Sequence, residues 1–250
     1  MSYLINGDYK DVKIKELFGE VNLFIVDPPY GRIVSDSYDR ISPKELVNEL
    51  IRLFYWISKY AKKGATVYCF GGIGTYRNRP FFEFLSRIEF ESDFRIHNFL
   101  TWKKRRGYGA KYNYMYAREE IAMFVYDDKK PNCFNIPLLN NERSDEWKKR
   151  LEKQKYKPKS DRMRRSNVFT DINEIFRNQH KNSNLLVSAQ KPEKLIQVLV
   201  ETSSNLGDIV IDPMAGSGTT AVVCSELCRK FVCIERDTEV FNIIQKRINK

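Results

Sequence analysis

Histidine is scarce in this chain: His97 and His180 are the only two, and the sequence pairs neither with a nucleophile. The five cysteines are scattered. Cys224 and Cys228 lie four residues apart, but no second cysteine pair or histidine cluster completes a zinc site. We therefore expect buried, reduced thiols, no bound metal and a chemistry that does not depend on histidine.

Long apolar runs are also missing. None approaches the ~18 residues of a membrane-spanning helix, and the first ten residues lack the apolar segment of a signal peptide. No internal repeat occurs, while a hydrophobic content of 42% suffices for a core of ordinary size. These features predict a cytoplasmic protein without a membrane partner, built as one large α/β domain or two small ones in 250 residues.

Positive charge is abundant, with a formal net charge of +11. Residues 143–165 hold eleven Lys or Arg against four Asp or Glu, a local excess of seven positive charges. An imbalance of this size favours a polyanionic partner such as nucleic acid, although charge alone also fits an anionic membrane surface or a merely basic protein.

Strand and helix patterns alternate along the chain. The apolar strand 21–27 is followed by a helix at 42–64 with a Ser cap, an early Pro and a terminal Gly, and then by the strand 65–72. This unit implies parallel strands joined by a right-handed crossover. Further on, the pattern predicts a hairpin of strands 96–104 and 119–127 with a long loop, helices at 191–207 and 238–250, and a strand, turn, helix and strand within 208–237. The order indicates a doubly wound α/β sheet.

A glycine-rich turn follows one predicted strand. Gly216, Gly218 and Ala221 fit a nucleotide-binding fingerprint, and Glu235 ends the next strand, where a carboxylate suits ribose hydroxyls. A P-loop is disfavoured because no Lys follows the second Gly. Both a dinucleotide and S-adenosylmethionine (SAM) fit the turn. The Asp212 carboxylate modestly favours SAM, because it repels pyrophosphate but attracts an ammonium.

A second strand ends on "DPPY", residues 27–30. Asp27 and the Pro28 carbonyl offer two acceptors for an exocyclic amino group, and Tyr30 offers a stacking surface for its base. Held in this way, the amino nitrogen would direct its lone pair toward an electrophilic methyl group without a metal. The alternative interpretation is an ordinary strand-terminating turn.

These residues together resemble the DNA amino-methyltransferases of the β arrangement, in which the catalytic motif precedes the SAM motif. "DPPY" (27–30) resembles the catalytic motif and "DPMAGSGTT" (212–220) the SAM motif, while "QKPEKL" (190–195), "IERD" (234–237) and "INGDY" (5–9) resemble segments around the SAM pocket. "LTWKK" (100–104) and "REEIAMFVY" (118–126) resemble the hairpin beyond the catalytic strand. The chain departs from the family pattern at "LLVSAQKP" (185–192), which lacks a frequent His.

The resemblance implies a mostly parallel, seven-stranded, Rossmann-like methyltransferase sheet with a terminal antiparallel hairpin strand. It implies SAM as the cofactor. Because Asp stands at position 27, it implies the N6 amino group of a flipped-out adenine as the target. The alternatives are methylation of cytosine N4 or of RNA, an inactive nucleic-acid-binding protein, and an NAD-dependent oxidoreductase. The implied catalytic residues are Asp27, Pro28, Pro29 and Tyr30. The implied cofactor residues are Asp8, Asp27, Lys191, Asp212, Pro213, Met214, Ala215, Gly216, Gly218, Thr219, Glu235 and Arg236.

The expected domain organisation is a catalytic domain of residues 1–127 and 186–250, interrupted by a basic target-recognition insertion at 128–185. The expected partner is double-stranded DNA, and the resemblance adds a homodimer and a cognate restriction endonuclease as candidate partners. The expected phosphate contacts are Arg77, Arg79, Lys103, Lys104, Arg105, Arg106, Lys111, Lys148, Lys149, Arg150, Arg164 and Arg165.

Overall fold

The computed structural model describes residues 2–30, 41–72, 79–142, 144–152, 160–175 and 190–249. Its strands are β1 (Tyr3–Asn6), β2 (Val21–Val26), β3 (Ala61–Gly71), β4 (Phe94–Ala110), β5 (Asn113–Tyr126), β6 (Leu138–Glu142), β7 (Arg162–Arg164), β8 (Val168–Phe169), β9 (Ile209–Asp212) and β10 (Lys230–Glu235). Its helices are α1 (Pro43–Tyr60), α2 (Pro80–Glu91), α3 (Asp145–Glu152), α4 (Glu193–Ser203), α5 (Thr219–Glu226) and α6 (Thr238–Ile248).

One large sheet carries the fold, in the order β1-β10-β9-β2-β3-β5-β4-β8. The five strands from β1 to β3 are parallel, whereas β5 pairs antiparallel with both β3 and β4. The doubly wound, mostly parallel sheet with an antiparallel hairpin is therefore confirmed. The expected seven strands are joined by an eighth, the two-residue β8, which pairs with β4.

Helices cover both faces of the sheet. On one face Phe24 and Val67 pack with α1 and α2, and on the other Leu23 and Tyr68 pack with α4 and α5. These side chains alternate between the two faces because neighbouring residues of a strand point to opposite sides of the sheet. The capping box predicted for α1 is present, since Ser42 and Glu45 bond each other's backbone N–H groups.

Two predicted boundaries were wrong. Gly64 does not end α1, which stops at Tyr60. Instead, Gly64 lies in a bulge of β3 with a φ of +76°. A Cβ added to Gly64 would meet the Asn132 backbone nitrogen at 2.9 Å. The long loop expected between strands 96–104 and 119–127 is mostly strand, because β4 continues to Ala110 and β5 begins at Asn113. Tyr108 pairs in register with Tyr116 there, and the strand preference of tyrosine explains the extension.

The insertion expected at 128–185 is partly attached to the catalytic sheet. The Asn135 backbone N–H donates to the Thr202 carbonyl at the end of α4, and its side chain donates to the Glu201 and Ser204 carbonyls. Phe169 and Ile172 are buried in the same core as α4. Within the described ranges, no helix is long and apolar enough to cross a membrane.

Candidate active site at the sheet switch point

The two strand-end motifs lie side by side. Strand β2 pairs with β9, with Leu23 opposite Val210 and Phe24 opposite Ile211. Strand β2 is followed by α1 on one face, and β9 by α5 on the other. This is the topological switch point, where doubly wound sheets bind ligands at the carboxyl ends of their strands. Asp27 follows β2 and Asp212 ends β9 at that edge.

The glycine turn after β9 has the backbone that its sequence predicted. Gly216 and Gly218 have φ angles of +50° and +78°, which favour glycine. A Cβ on Gly218 would meet Ile244 at 2.6 Å, whereas a Cβ on Gly216 would meet no atom of the described residues within 4 Å. Gly218 is therefore required by packing against α6, while Gly216 faces open space in which a ligand can approach the backbone.

Glu235 closes this turn from the end of β10. Its carboxylate accepts hydrogen bonds from the Gly216 N–H and the Asp237 N–H, both at 2.8 Å. Burial raises the pKa of Glu235, against the effect of these two donors. Asp8 lies two residues beyond β1, which pairs with β10, and its side chain accepts from the Lys10 N–H. The predicted cofactor residues Asp8, Glu235 and the exposed Arg236 thus lie at one edge.

The rest of the glycine motif turns inward. Asp212 is buried, and its carboxylate accepts from the Met214 N–H at 3.1 Å and from the Thr220 hydroxyl. Burial raises the pKa of Asp212 to about 7. Pro213 and Ala215 are buried and Met214 is half-buried. Asp212 therefore shapes the turn, in addition to any contact with a ligand.

Asp27 lies at the centre of a cluster of charged groups. The Lys191 ammonium is 2.7 Å from each of its carboxylate oxygens, and the Tyr30 hydroxyl donates to Oδ1 at 3.0 Å. The same hydroxyl also lies within hydrogen-bond distance of Glu119, so its one proton is shared between the two carboxylates; Oε1 of Glu119 lies 3.1 Å from the Lys191 ammonium. Asp27 keeps 26% of its side chain exposed, whereas Lys191 and Glu119 are buried. The accessible acceptor of the cluster is therefore Asp27.

Sequence reasoning missed Glu119. A signal was present: Glu119 and Glu120 open the predicted strand 119–127 just before its apolar run, and Glu119 has the same parity as Ile121 and Met123, which pack on the α4 face. Leu23 and Ile25 face the same way, and Asp27 continues their parity. Glu120 instead accepts from the Thr101 hydroxyl at 2.7 Å and pairs with Arg118.

The charges of the cluster shift each other's protonation. Burial raises the pKa of Asp27; the Lys191 ammonium opposes this rise and Glu119 adds to it. Burial alone would raise the pKa of Glu119, but the Lys191 and Lys104 ammoniums outweigh it and hold that pKa at about 2. Burial would lower the pKa of Lys191, and the two carboxylates reverse this into a rise. Glu119 and Lys191 are thus charged at neutral pH.

The predicted phosphate contacts divide into two groups. Arg79, Lys103, Arg105, Lys111, Lys149 and Arg164 have exposed side chains. Lys104 is turned to Glu119, 2.5 Å from Oε2, and Arg165 has both terminal nitrogens on the Asp171 carboxylate with 7% of its side chain exposed. This geometry argues against a phosphate contact for Arg165, because its side chain is buried and its charge is paired with Asp171.

Further basic residues were predicted to contact phosphate. Lys148, which is half-buried, pairs with the exposed Glu142, and the exposed Arg150 pairs with the exposed Glu146; pairs at the surface are weak. Arg77 lies outside the described residues, and of Arg106 only the backbone in β4 is described.

Comparison with known proteins agrees with this arrangement. A family model described as DNA methylase, of the N6/N4 type, matches residues 21–246. The type II methyltransferase M.HpaI of Haemophilus parainfluenzae is 26% identical over 92% of this chain and 68% of its own length. The DNA adenine methyltransferase YhdJ of Escherichia coli K12 is 27% identical over 98% of this chain and 82% of its own length. The crystal structure of the M1.HpyAVI–SAM complex has a TM-score of 0.65 at 22% identity, covering both chains fully, and shares the fold.

Proposed function

The chain belongs to the N6/N4 DNA methylase family, and from this membership we propose that it methylates the N6 amino group of an adenine flipped out of duplex DNA. It is a DNA methyltransferase that uses SAM. The proposal for adenine depends on Asp at position 27 of the "DPPY" motif and is supported by the similarity to an adenine methyltransferase over 98% of the chain. The observation that carries the site is the position of this motif beside the glycine turn.

The residues at the glycine turn fit SAM. Gly216 leaves its backbone open to a ligand; Glu235 bonds the Gly216 N–H, Asp212 ends the strand before the turn, and Asp8 follows β1 beside β10. We assign the ribose hydroxyls to Glu235, the adenine side to Asp8 and the amino-acid ammonium to the Asp212 side. When bound, SAM supplies an electrophilic methyl group. Pro213, Met214, Ala215, Thr219 and Arg236 complete the proposed pocket, and Lys191 connects it to the catalytic motif.

Asp27 and the Pro28 carbonyl are the proposed acceptors for the two N–H bonds of the target amino group. Holding both hydrogens fixes the nitrogen lone pair in one direction, which is catalysis by orientation. Tyr30 is the proposed stacking surface, and its hydroxyl is already held by Asp27 and Glu119, so that its ring is fixed before a base arrives. Extrusion of a base costs a few kcal/mol, and stacking on an aromatic ring recovers about 1–3 kcal/mol.

DNA is held, in this proposal, by the exposed cations of the β4–β5 hairpin and of the insertion. The hairpin carries exposed Lys103 and Arg105 on β4, on either side of the Lys104 that pairs with Glu119, and exposed Lys111 in the turn between β4 and β5. The peripheral part of residues 128–185, with α3 and β7, is the proposed target-recognition region. A homodimer, a cognate restriction endonuclease and a cytoplasmic location belong to the same proposal.

Nucleoside analysis tests the target. The protein is incubated with labelled SAM and either mixed-sequence duplex DNA or RNA, and the digest is separated into nucleosides. We expect label in N6-methyladenine from DNA. Label in N4-methylcytosine or in RNA would overturn the adenine proposal, and sequencing of the methylated DNA would give the recognition sequence.

A further inference from the structure

The Lys191 ammonium occupies the acceptor that the proposed reaction needs. It lies 2.7 Å from both oxygens of Asp27, which leaves the carboxylate neutralised by a bidentate ion pair. A target amino group must donate to that same carboxylate. In addition, positive charge develops on the amino nitrogen during methyl transfer, and an ammonium beside it opposes that charge. The ion pair therefore has to loosen when the base enters.

Glu119 offers the ammonium a second counter-ion. Its Oε1 is 3.1 Å from the Lys191 ammonium in the same structure, so a small shift of the flexible lysine side chain exchanges Asp27 for Glu119. Glu119 is buried and its pKa is held at about 2, so it stays charged throughout the working pH range. The Lys191 ammonium also lies 5.4 Å from the Tyr30 ring centroid and 5.1 Å from the Phe70 ring centroid, and both rings attract a cation.

We infer that Glu119 is a positioning residue that takes the Lys191 ammonium from Asp27 when the target amino group binds. The inference rests on the proposed role of Asp27 as acceptor. Glu119 then acts through Lys191 and does not touch the base. Lys104, 2.5 Å from the other oxygen of Glu119, balances its charge while Lys191 is on Asp27. The groups that face Asp27 are Tyr30, Lys191, Glu119, Asp212 and Cys69.

The test compares Glu119→Gln with a matched neighbour. Glu120→Gln removes a second buried carboxylate from the same strand, but Glu120 is bonded to Thr101 and Arg118 and not to Lys191. Transfer rates are measured at saturating SAM and duplex substrate. We expect Glu119→Gln to lose at least about tenfold in rate, since among the described residues Asp27 is then the carboxylate left to Lys191, which stays on it. Glu120→Gln should lose much less.

Rescue separates this role from a structural one. Lys191→Met removes the competing ammonium, so the double variant Glu119→Gln/Lys191→Met should be faster than Glu119→Gln alone. The acid limb of the rate–pH profile should move to lower pH in Glu119→Gln, because this variant loses a carboxylate that raises the pKa of Asp27. It should move to higher pH in Lys191→Met, because that variant loses the ammonium that lowers the same pKa. Fluorescence of a duplex with 2-aminopurine beside the target adenine should show weaker extrusion of that adenine in Glu119→Gln, with calorimetric SAM affinity unchanged.

The outcomes distinguish the inference from the function that it assumes. Absence of rescue by Lys191→Met, an unmoved acid limb, or an equal loss in Glu120→Gln would overturn the role of Glu119. Wild-type transfer in Asp27→Ala would instead overturn the role of Asp27.

Discussion

The ammonium of Lys191 contacts both carboxylate oxygens of Asp27 across a sequence separation of 164 residues. The main-chain carbonyl of Lys191 also accepts a hydrogen bond from the Thr219 hydroxyl, in the first turn of α5. One residue thus joins the catalytic strand end to the glycine turn. The two motifs are therefore connected by a side chain as well as by the pairing of β2 with β9.

Asp27→Ala should abolish methyl transfer while leaving DNA binding largely intact. Removing the acceptor is expected to cost at least about 100-fold in rate, and Lys191 keeps Glu119 as a counter-ion, so the fold should survive. Transfer with labelled SAM and DNA binding by fluorescence anisotropy measure the two effects. The control is Asp208→Ala, which lies just before β9 at the amino ends of the parallel strands and should transfer normally. Normal turnover in Asp27→Ala would refute its role.

Gly216→Ala and Gly218→Ala should separate ligand binding from stability. Both place Ala at a positive φ, which costs about 1 kcal/mol. A Cβ on Gly218 also collides with Ile244 at 2.6 Å, so this variant should melt at a clearly lower temperature. A Cβ on Gly216 meets nothing within 4 Å in the part of the chain that the structure describes, so this variant should fold well but bind SAM more weakly in calorimetry. Unchanged SAM affinity in Gly216→Ala would contradict the placement of the cofactor.

The sequence predicted the parts of the fold that depend on local patterns. Apolar strands, the α1 capping box and the glycine turn are encoded within a few residues, and their order predicted the doubly wound sheet. Gly64 was misassigned because a helix-ending glycine and a bulge glycine look alike without the contact to Asn132. The segment between the two predicted hairpin strands was misassigned. There β4 and β5 pair only with each other, and no alternation of apolar residues marks them as strands.

The candidate site was predictable at its strand ends and not at its centre. Asp27, Tyr30 and Gly216 stand in motifs, whereas Glu119 joins them only through the pairing of β5 with β3. The strand register brings Glu120 opposite Gly71, at the carboxyl end of β3, and so brings Glu119 to the same edge. A contact of this kind depends on tertiary structure, which strand periodicity alone does not give.

Asp212→Asn should flatten the pH dependence of stability. Burial raises the pKa of Asp212 from 3.8 to about 7, so the folded state binds a proton that the unfolded state has lost. Its contribution is therefore fully present below pH about 4 and is lost as pH rises to about 7. Asn does not titrate, and its oxygen can still accept from Met214. Denaturant unfolding at pH 5 and 8 should show a smaller difference in Asp212→Asn than in the wild type; an equal difference would contradict the assignment.

Lys103→Ala and Arg105→Ala should weaken DNA binding without changing the rate of bound substrate. Alternation along β4 turns these two side chains to solvent, whereas Lys104 between them is paired with Glu119. Each lost phosphate contact should reduce the slope of log affinity against log salt by about 1. Lys230→Ala, exposed at the start of β10 on the opposite edge, is the control for net charge. Titrations at several salt concentrations measure the slopes, and equal slopes in all variants would exclude this hairpin from the DNA interface.

Lys104→Ala should differ from both neighbours, since this variant removes a charge that balances Glu119. It should therefore lower the transfer rate more than the DNA affinity.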